Sequence, residues 1–304
     1  MNTNIKRLLS ITVISALCLF CGYSISFAAN CGAGDSGLLA SVKNRLIADG
    51  YDKETIENLY SKPAVEFSPK CIMLFFPKTI STGTPPPPSK TSMHEQFLTP
   101  AAIAKAKNFI KTNRSTLSNA EQQYGVDLQV ITAIILVETG FGANTGSWPV
   151  INSLSTLAAL GDADTRKAFW DMMPAERKHS WDYYESRAVK KSEWAYGELK
   201  AFLDLAIMAG VQTETITGSY AGAVGIPQFM PSNILSLGRD GDNDGFIDLF
   251  NYNDAIFSVA NYFRESGWRK GIDYDRAFNV VLRYNKSGTY ARTVLEIANR
   301  LKGV

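Results

Sequence analysis

One stretch constrains this chain more than any other: an apolar run from Val130 to Val137 that ends on a carboxylate, Glu138, and then on Thr139 and Gly140. Eight residues with no charge read as an apolar helix. An acid closing such a helix is costly to ionise, because desolvation disfavours the charged form. It can therefore hold a proton near neutral pH and deliver it. Helical spacing dominates elsewhere too, over Leu38 to Tyr60, Ala101 to Tyr124, Leu128 to Glu138, Ser192 to Met208, Ala255 to Phe263 and Tyr290 to Leu301. Thr99 and Pro100 form a helix start, threonine capping and proline in the first turn. Strand alternation is nearly absent, so the predicted class is mainly α.

The 304 residues, 45% hydrophobic and 20% charged, are ordinary globular material. Lys6 and Arg7 precede an apolar run from Leu8 to about Phe20, followed by small residues at Ser26 and Ala28. That order predicts a secretory signal over residues 1–28, cleaved after Ala28, since the apolar run is short of the roughly 20 residues that span a bilayer. Lipid attachment at Cys21 is disfavoured by the bulky Phe20 before it. Removing Lys6 and Arg7 from the 31 basic residues balances the 29 acidic ones, so charge points to neither nucleic acid nor an anionic membrane as partner. Export leaves Cys31 and Cys71 as the cysteine pair, and an oxidising compartment predicts a disulfide between them. The run from Ser81 to Ser89, with four consecutive prolines, breaks every periodicity. It reads as an extended connector over 81–92, between an N-terminal helical segment (29–80) and a larger domain (93–304).

Two further stretches carry chemistry. The glycine-rich run from Ser219 to Ser232 allows close backbone approach, and Ser219, Tyr220, Gln228 and Phe229 offer the hydrogen-bonding and stacking groups that suit a sugar polymer. It lacks the Lys-Ser/Thr pair of a phosphate loop. Asp240 to Asp248 matches the calcium-loop pattern, with acids at loop positions 1, 3, 5 and 9 and glycine at 6. Position 12 is Asn251 in place of glutamate, which leaves Asp254 as the closing carboxylate. Zinc is a poorer fit, because only His94, His179 and two distant cysteines are on offer.

Taken in order, VETGFG at 137–142, SYAGAVG at 219–225, QFMPS at 228–232, the acidic loop, VANYF at 259–263 and RYNKSGTY at 283–290 resemble the membrane-bound lytic murein transglycosylase B family. The likeness runs over most of Phe97 to Leu301, and the helices of Leu38 to Tyr60 are similar to that family's N-terminal ones. It implies a lysozyme-like, mainly α fold. The implied activity cleaves the bond between N-acetylmuramic acid and N-acetylglucosamine in peptidoglycan and leaves a 1,6-anhydro end. By motif, the catalytic acid falls on Glu138 and the substrate contacts on Ser219, Gln228, Tyr262, Tyr284, Asn285 and Tyr290. Structural Ca2+ falls on Asp240, Asp242, Asp244, the Phe246 carbonyl and Asp254. The implied partner is the peptidoglycan glycan strand, with periplasmic residence and peripheral association with the envelope.

Three departures stand out. No tyrosine precedes Phe97-Leu98-Thr99-Pro100, the stretch from Trp268 to Arg283 is brief, and Asp162 to Lys191 is long and rich in aromatics. A packed helical hairpin is the expectation for that last segment, ahead of an extended sugar-binding face.

Ordinary glycosidases use two carboxylates, and the acids nearest Glu138 in sequence are Asp127 and Asp162. A single acid suffices if the sugar's own C6 hydroxyl replaces water. Two alternatives stay open at the level of sequence. One is a hydrolytic muramidase with Asp164 or Asp171 facing Glu138, and the other a non-catalytic, calcium-stabilised wall-binding protein.

Overall fold

The computed structural model describes residues 37–76 and 91–304. The signal segment 1–28, Cys21, Cys31 and residues 81–90 of the expected connector lie outside the described residues.

Helix α6 (Leu128–Thr139) is the axis of the molecule. Its residues from Val130 to Leu136 are all buried, as an uninterrupted apolar run requires. Around it pack α4 (Pro100–Thr112), α5 (Arg114–Tyr124), α11 (Tyr252–Glu265) and α13 (Gly288–Arg300), with α12 (Tyr274–Tyr284) against α13. Thr99 caps α4 by accepting from the Ala102 N–H, with Pro100 opening the helix. The pattern from Ala101 to Tyr124 reads as one helix, but the chain breaks at Asn113 (φ −107°, ψ 25°) into α4 and α5. Both halves can then follow the curve of the core.

The second body of helices centres on α7 (Val150–Ala159), buried at every position, against the 29-residue α9 (Trp181–Ala209). The N-terminal helices α1 (Ala40–Ala48), α2 (Lys53–Ser61) and α3 (Pro69–Met73) lie on this pair. Buried Tyr60 shares a 2.7 Å hydrogen bond with Ser155, the Ser68 N–H donates to Thr156, and Arg45 makes a two-pronged pair with Glu193. Their apolar residues join the same core cluster as α6. Cys71 is a buried thiol donating to the Ser68 carbonyl at 3.0 Å, and burial pushes it up to about 12; its expected disulfide partner, Cys31, lies outside the described residues.

The long aromatic segment folds as α8 (Ala163–Met172) and the first turns of α9. Phe169 and Tyr184 are sealed with Phe76, and the Trp170 and Trp181 rings meet edge to face at 5.5 Å. A two-residue ribbon pairs β1 (Trp148–Pro149) with β2 (Thr217–Gly218), antiparallel, and anchors the glycine-rich loop against the start of α7. Helix α10 (Pro231–Leu237) follows that loop and packs between α9 and α11.

Candidate functional site

Glu138 sits in the last turn of α6, part-exposed at its surface but deeply surrounded by protein atoms. Burial raises its carboxyl to about 7, against the opposing pull of one hydrogen bond, from the Tyr290 hydroxyl to Oε1 at 2.5 Å. Tyr290 itself is driven well above the ordinary phenol range by burial and by the charge of Glu138. It is the donor in this bond. No second carboxylate bears on Glu138 among the described residues. Asp127 accepts from the Trp268 indole, Asp162 caps α8, Asp171 pairs with Lys167, and Asp164 lies in the first turn of α8.

Local backbone keeps the acid at an open end. Gly140, Phe141 and Gly142 have φ of 59°, 66° and 78°, so three successive residues turn the chain sharply away from α6. Left-handed geometry is uncommon for a residue such as phenylalanine. Phe141 is held there by a 4.5 Å stack on Phe109 and by a hydrogen bond from the Tyr252 hydroxyl to its carbonyl, 2.8 Å. Thr139 ties the helix end to the glycine-rich loop: its hydroxyl donates to the Ile226 carbonyl and accepts from the Gly142 N–H, both at 2.9 Å. Thr139 lies within the VETGFG motif but carried no assigned role, and Tyr252 lies outside the quoted motifs; both roles come from contacts between distant segments.

The loop from Ser219 is closed on itself. Ser219 N–H donates to the Ala223 carbonyl, and its hydroxyl accepts from the Ala223 and Ala221 N–H groups. A Cβ at Gly222 would lie 2.7 Å from Leu154 and one at Gly225 2.5 Å from Leu249, so the loop reaches the core only through glycine. Gln228, at φ 51°, donates its side-chain amide to the Thr145 and Gly225 carbonyls, which leaves its side-chain oxygen as the group available to a ligand.

The tyrosines divide into two roles. Tyr290 touches the acid. Tyr284 donates to the Pro227 carbonyl and Tyr262 to the Arg283 carbonyl, and their rings meet at 4.8 Å beside Phe229. Of the three tyrosines expected to contact substrate, Tyr262 and Tyr284 have their hydroxyls committed to backbone and only their ring faces left to meet a sugar, while the Tyr290 hydroxyl is committed to Glu138. Asn285, exposed at the end of α12, has its side chain clear of the fold.

The acidic loop brings Asp240, Asp242 and Asp244 together, each offering an oxygen within 4.8 Å of the others. Asp240 accepts from the Asn243 and Gly245 N–H groups, and Asp244 from the Phe246 N–H. Asp254 is not in that trio. It lies beneath, 1% exposed, its two oxygens accepting from the Gly241 and Asp248 N–H groups, and burial raises it to about 6. Asn251 occupies the position of the missing glutamate and donates to Asp242 at 2.7 Å. Hard oxygen donors converging on one point, with backbone N–H groups orienting them, fit a calcium ion.

Fold and site together define an α-helical protein organised around one protonatable carboxylate, a tyrosine that grips it and a glycine-rich loop braced to its helix. The chain belongs to the transglycosylase SLT domain family, whose model matches residues 35–277. It is 30% identical over 224 residues to the membrane-bound lytic murein transglycosylase B of Escherichia coli (strain K12), a match covering 73% of this chain and 55% of that protein. The chain thus spans about half the length of that relative. Among solved structures it is similar to the soluble lytic transglycosylase SltB1 of Pseudomonas aeruginosa, at 26% identity and a TM-score of 0.68, over 86% of this chain and 97% of that one. The Escherichia coli lytic transglycosylase Slt35, solved in complex with calcium, shares the fold at 21% identity and a TM-score of 0.66, over 88% and 93%. The mainly α, lysozyme-like architecture expected from the motifs is the fold of this chain. Among the described residues, no helix is long and apolar enough to cross a membrane.

Proposed function

We propose that this protein is a peptidoglycan lytic transglycosylase that cleaves the β-1,4 bond from N-acetylmuramic acid to N-acetylglucosamine and closes a 1,6-anhydro ring on the muramic acid. The observation that carries this reading is the setting of Glu138, an acid raised to about 7 whose hydrogen-bond partner is a tyrosine and on which no carboxylate bears among the described residues. Ordinary glycoside hydrolysis uses a second carboxylate to activate water or trap the sugar. Near neutral pH Glu138 is protonated in a substantial fraction of molecules. Tyr290 holds Oε1, so Oε2 delivers the proton to the glycosidic oxygen as the bond to C1 breaks. The resulting carboxylate then takes the proton of the C6 hydroxyl while that oxygen bonds to C1, and the acid is regenerated with no water consumed. Tethering supplies the effective concentration that an external nucleophile lacks.

Ser219, Gln228 and Asn285 supply polar contacts to the N-acetyl and hydroxyl groups, and Tyr262 and Tyr284 supply ring faces. Asp240, Asp242, Asp244 and the Phe246 carbonyl would hold a structural Ca2+, whose charge would offset the mutual repulsion of the loop acids, while Asp254 props the loop from beneath through the Gly241 and Asp248 N–H groups. Residues 93–304 form the catalytic domain and 81–92 the connector to the N-terminal helical segment 29–80, whose described residues 37–76 brace α7 and α9. Export to the periplasm through the 1–28 signal and a peripheral association with the envelope complete the reading. No nucleic acid partner is involved.

Purified sacculi digested with the wild type and with Glu138→Gln provide the test. Anhydro-muropeptides, lighter by one water than hydrolytic products, are expected from the wild type alone. Reducing-end products would establish a muramidase, and binding without any cleavage a wall-binding module.

A further inference from the structure

The peptide between Phe141 and Gly142, just past the Glu138 end of α6, is held at both of its polar ends. Its carbonyl accepts from the Tyr252 hydroxyl at 2.8 Å, and its N–H donates to the Thr139 hydroxyl at 2.9 Å. The two partners come from different elements, Tyr252 from the first turn of α11 and Thr139 from the end of α6. With φ of 66° at Phe141 and 78° at Gly142, the turn occupies a region that a phenylalanine keeps only when its surroundings hold it there. Rotation of this one peptide would break both bonds together.

Tyr252 is built to hold it. Its ring meets Phe109 edge to face at 5.2 Å, and Phe109 stacks on Phe141, so ring and hydroxyl grip the same residue from two sides. Its backbone stands at a fixed helix start. Asn251 caps α11 by accepting from the Asn253 N–H and donates to Asp242 of the acidic loop, while the Asn253 side chain accepts from Thr116 of α5 at 2.8 Å. Yet Tyr252 is 39% exposed, so its hydroxyl adds little to the core. What it fixes is direction. With the Gly142 N–H on its oxygen, Thr139 turns its own proton to the Ile226 carbonyl of the glycine-rich loop, 2.9 Å away. Glu138 directly precedes Thr139, and Ile226 lies just before Pro227 and Gln228. The clamp therefore sets how the acid stands to the loop that carries Ser219 and Gln228.

We infer that Tyr252 is a positioning residue for glycan cleavage, locking the 141–142 peptide so that the end of α6 and the glycine-rich loop keep one arrangement around the bond to be broken. This inference rests on the assignment of Glu138 as the acid in the reading above and adds a residue that acts through its turn.

The test is Tyr252→Phe in the full-length protein, which keeps the ring on Phe109 and removes the hydroxyl alone. On soluble, uncrosslinked peptidoglycan strands kcat should fall about tenfold while KM changes by less than about twofold, because the loss falls on alignment in the transition state. Carbon NMR of the Glu138 carboxyl, assigned by its disappearance in Glu138→Gln, should show a titration midpoint moving down from about 7 toward the ordinary carboxylate range, as the loosened turn admits water. Thr116→Val, which removes the neighbouring bond between α5 and α11, is the structural control. It should lower the melting temperature and leave both kcat and the midpoint in place. Wild-type kcat in Tyr252→Phe, or an unmoved midpoint, overturns the role, and so does an equal loss in Thr116→Val. If the wild type cleaves no glycan, the lytic reading falls, and the midpoint by itself decides for or against the positioning role.

Discussion

Glu138→Gln should stabilise this protein at alkaline pH and leave it unchanged in acid. The Glu138 carboxyl stands at about 7 in the folded chain against 4.5 when solvated, and burial is the first cause. A group whose folded value is raised binds its proton more tightly when folded, so stability falls as pH climbs from 4.5 to 7 and is level above. At 1.36 kcal/mol for each unit, the difference amounts to about 3 kcal/mol, and residual solvent access reduces it to about 2 to 3 kcal/mol. Glutamine keeps an oxygen to accept from Tyr290 and removes the ionisation. At pH 8 the variant should therefore melt higher by about 4 to 8 °C for a chain of this size. Below pH 4.5 the two melts should coincide. Calorimetric scans in a pH series, with calcium held constant, read this directly. A gain that is independent of pH, or a variant less stable at pH 8, would refute the claim that burial raises the acid.

Tyr290→Phe removes the one hydrogen bond that lowers Glu138, so the carboxyl should move further up. A bond to a charged group is worth about 1.5 to 3 kcal/mol, which shifts the alkaline limb of the pH–rate profile upward by about 1 to 2 units; an unmoved limb would exclude Tyr290 as the tuning group. Thr139→Val leaves the Ile226 carbonyl and the Gly142 N–H without their partner, while Thr139→Ser preserves both bonds. Valine should lose about 1 to 3 kcal/mol of stability by chemical denaturation, and serine should recover most of it; a valine variant as stable as the wild type would show that the two bonds contribute nothing. Calcium at about a hundred times its dissociation constant should add about 2.7 kcal/mol by mass action, and chelator should remove that gain. A melting curve indifferent to chelator, or one shifted as strongly after Asp242→Asn, would show that the acidic loop does not hold the ion.

What was legible in the sequence follows from the range of the interactions involved. The α6 core helix could be read because an uncharged run ending in Gly140 has one low-energy outcome, and the acid at its end because nothing else there is charged. The break at Asn113 could not, since the helical spacing continues through it and the packing of α4 and α5 around α6 imposes the bend. Helix α7 went unread because all ten of its residues are buried, which erases the polar-apolar period. In the acidic loop, spacing was enough to bring Asp240, Asp242 and Asp244 together. It did not reveal that Asp254, the expected closing carboxylate, lies buried with both oxygens on backbone N–H groups.

By itself the sequence determined a mainly α chain with a desolvated acid, a glycine loop and a calcium-type loop, because helix period, turn chemistry and ligand spacing are local properties. Tertiary structure decided which tyrosine touches Glu138, that Tyr262 and Tyr284 commit their hydroxyls to backbone carbonyls, and that no carboxylate among the described residues bears on the acid. Those outcomes depend on contacts between separate elements, from 21 residues apart for Tyr262 and Arg283 to 152 for Glu138 and Tyr290, and local pattern carries no record of them.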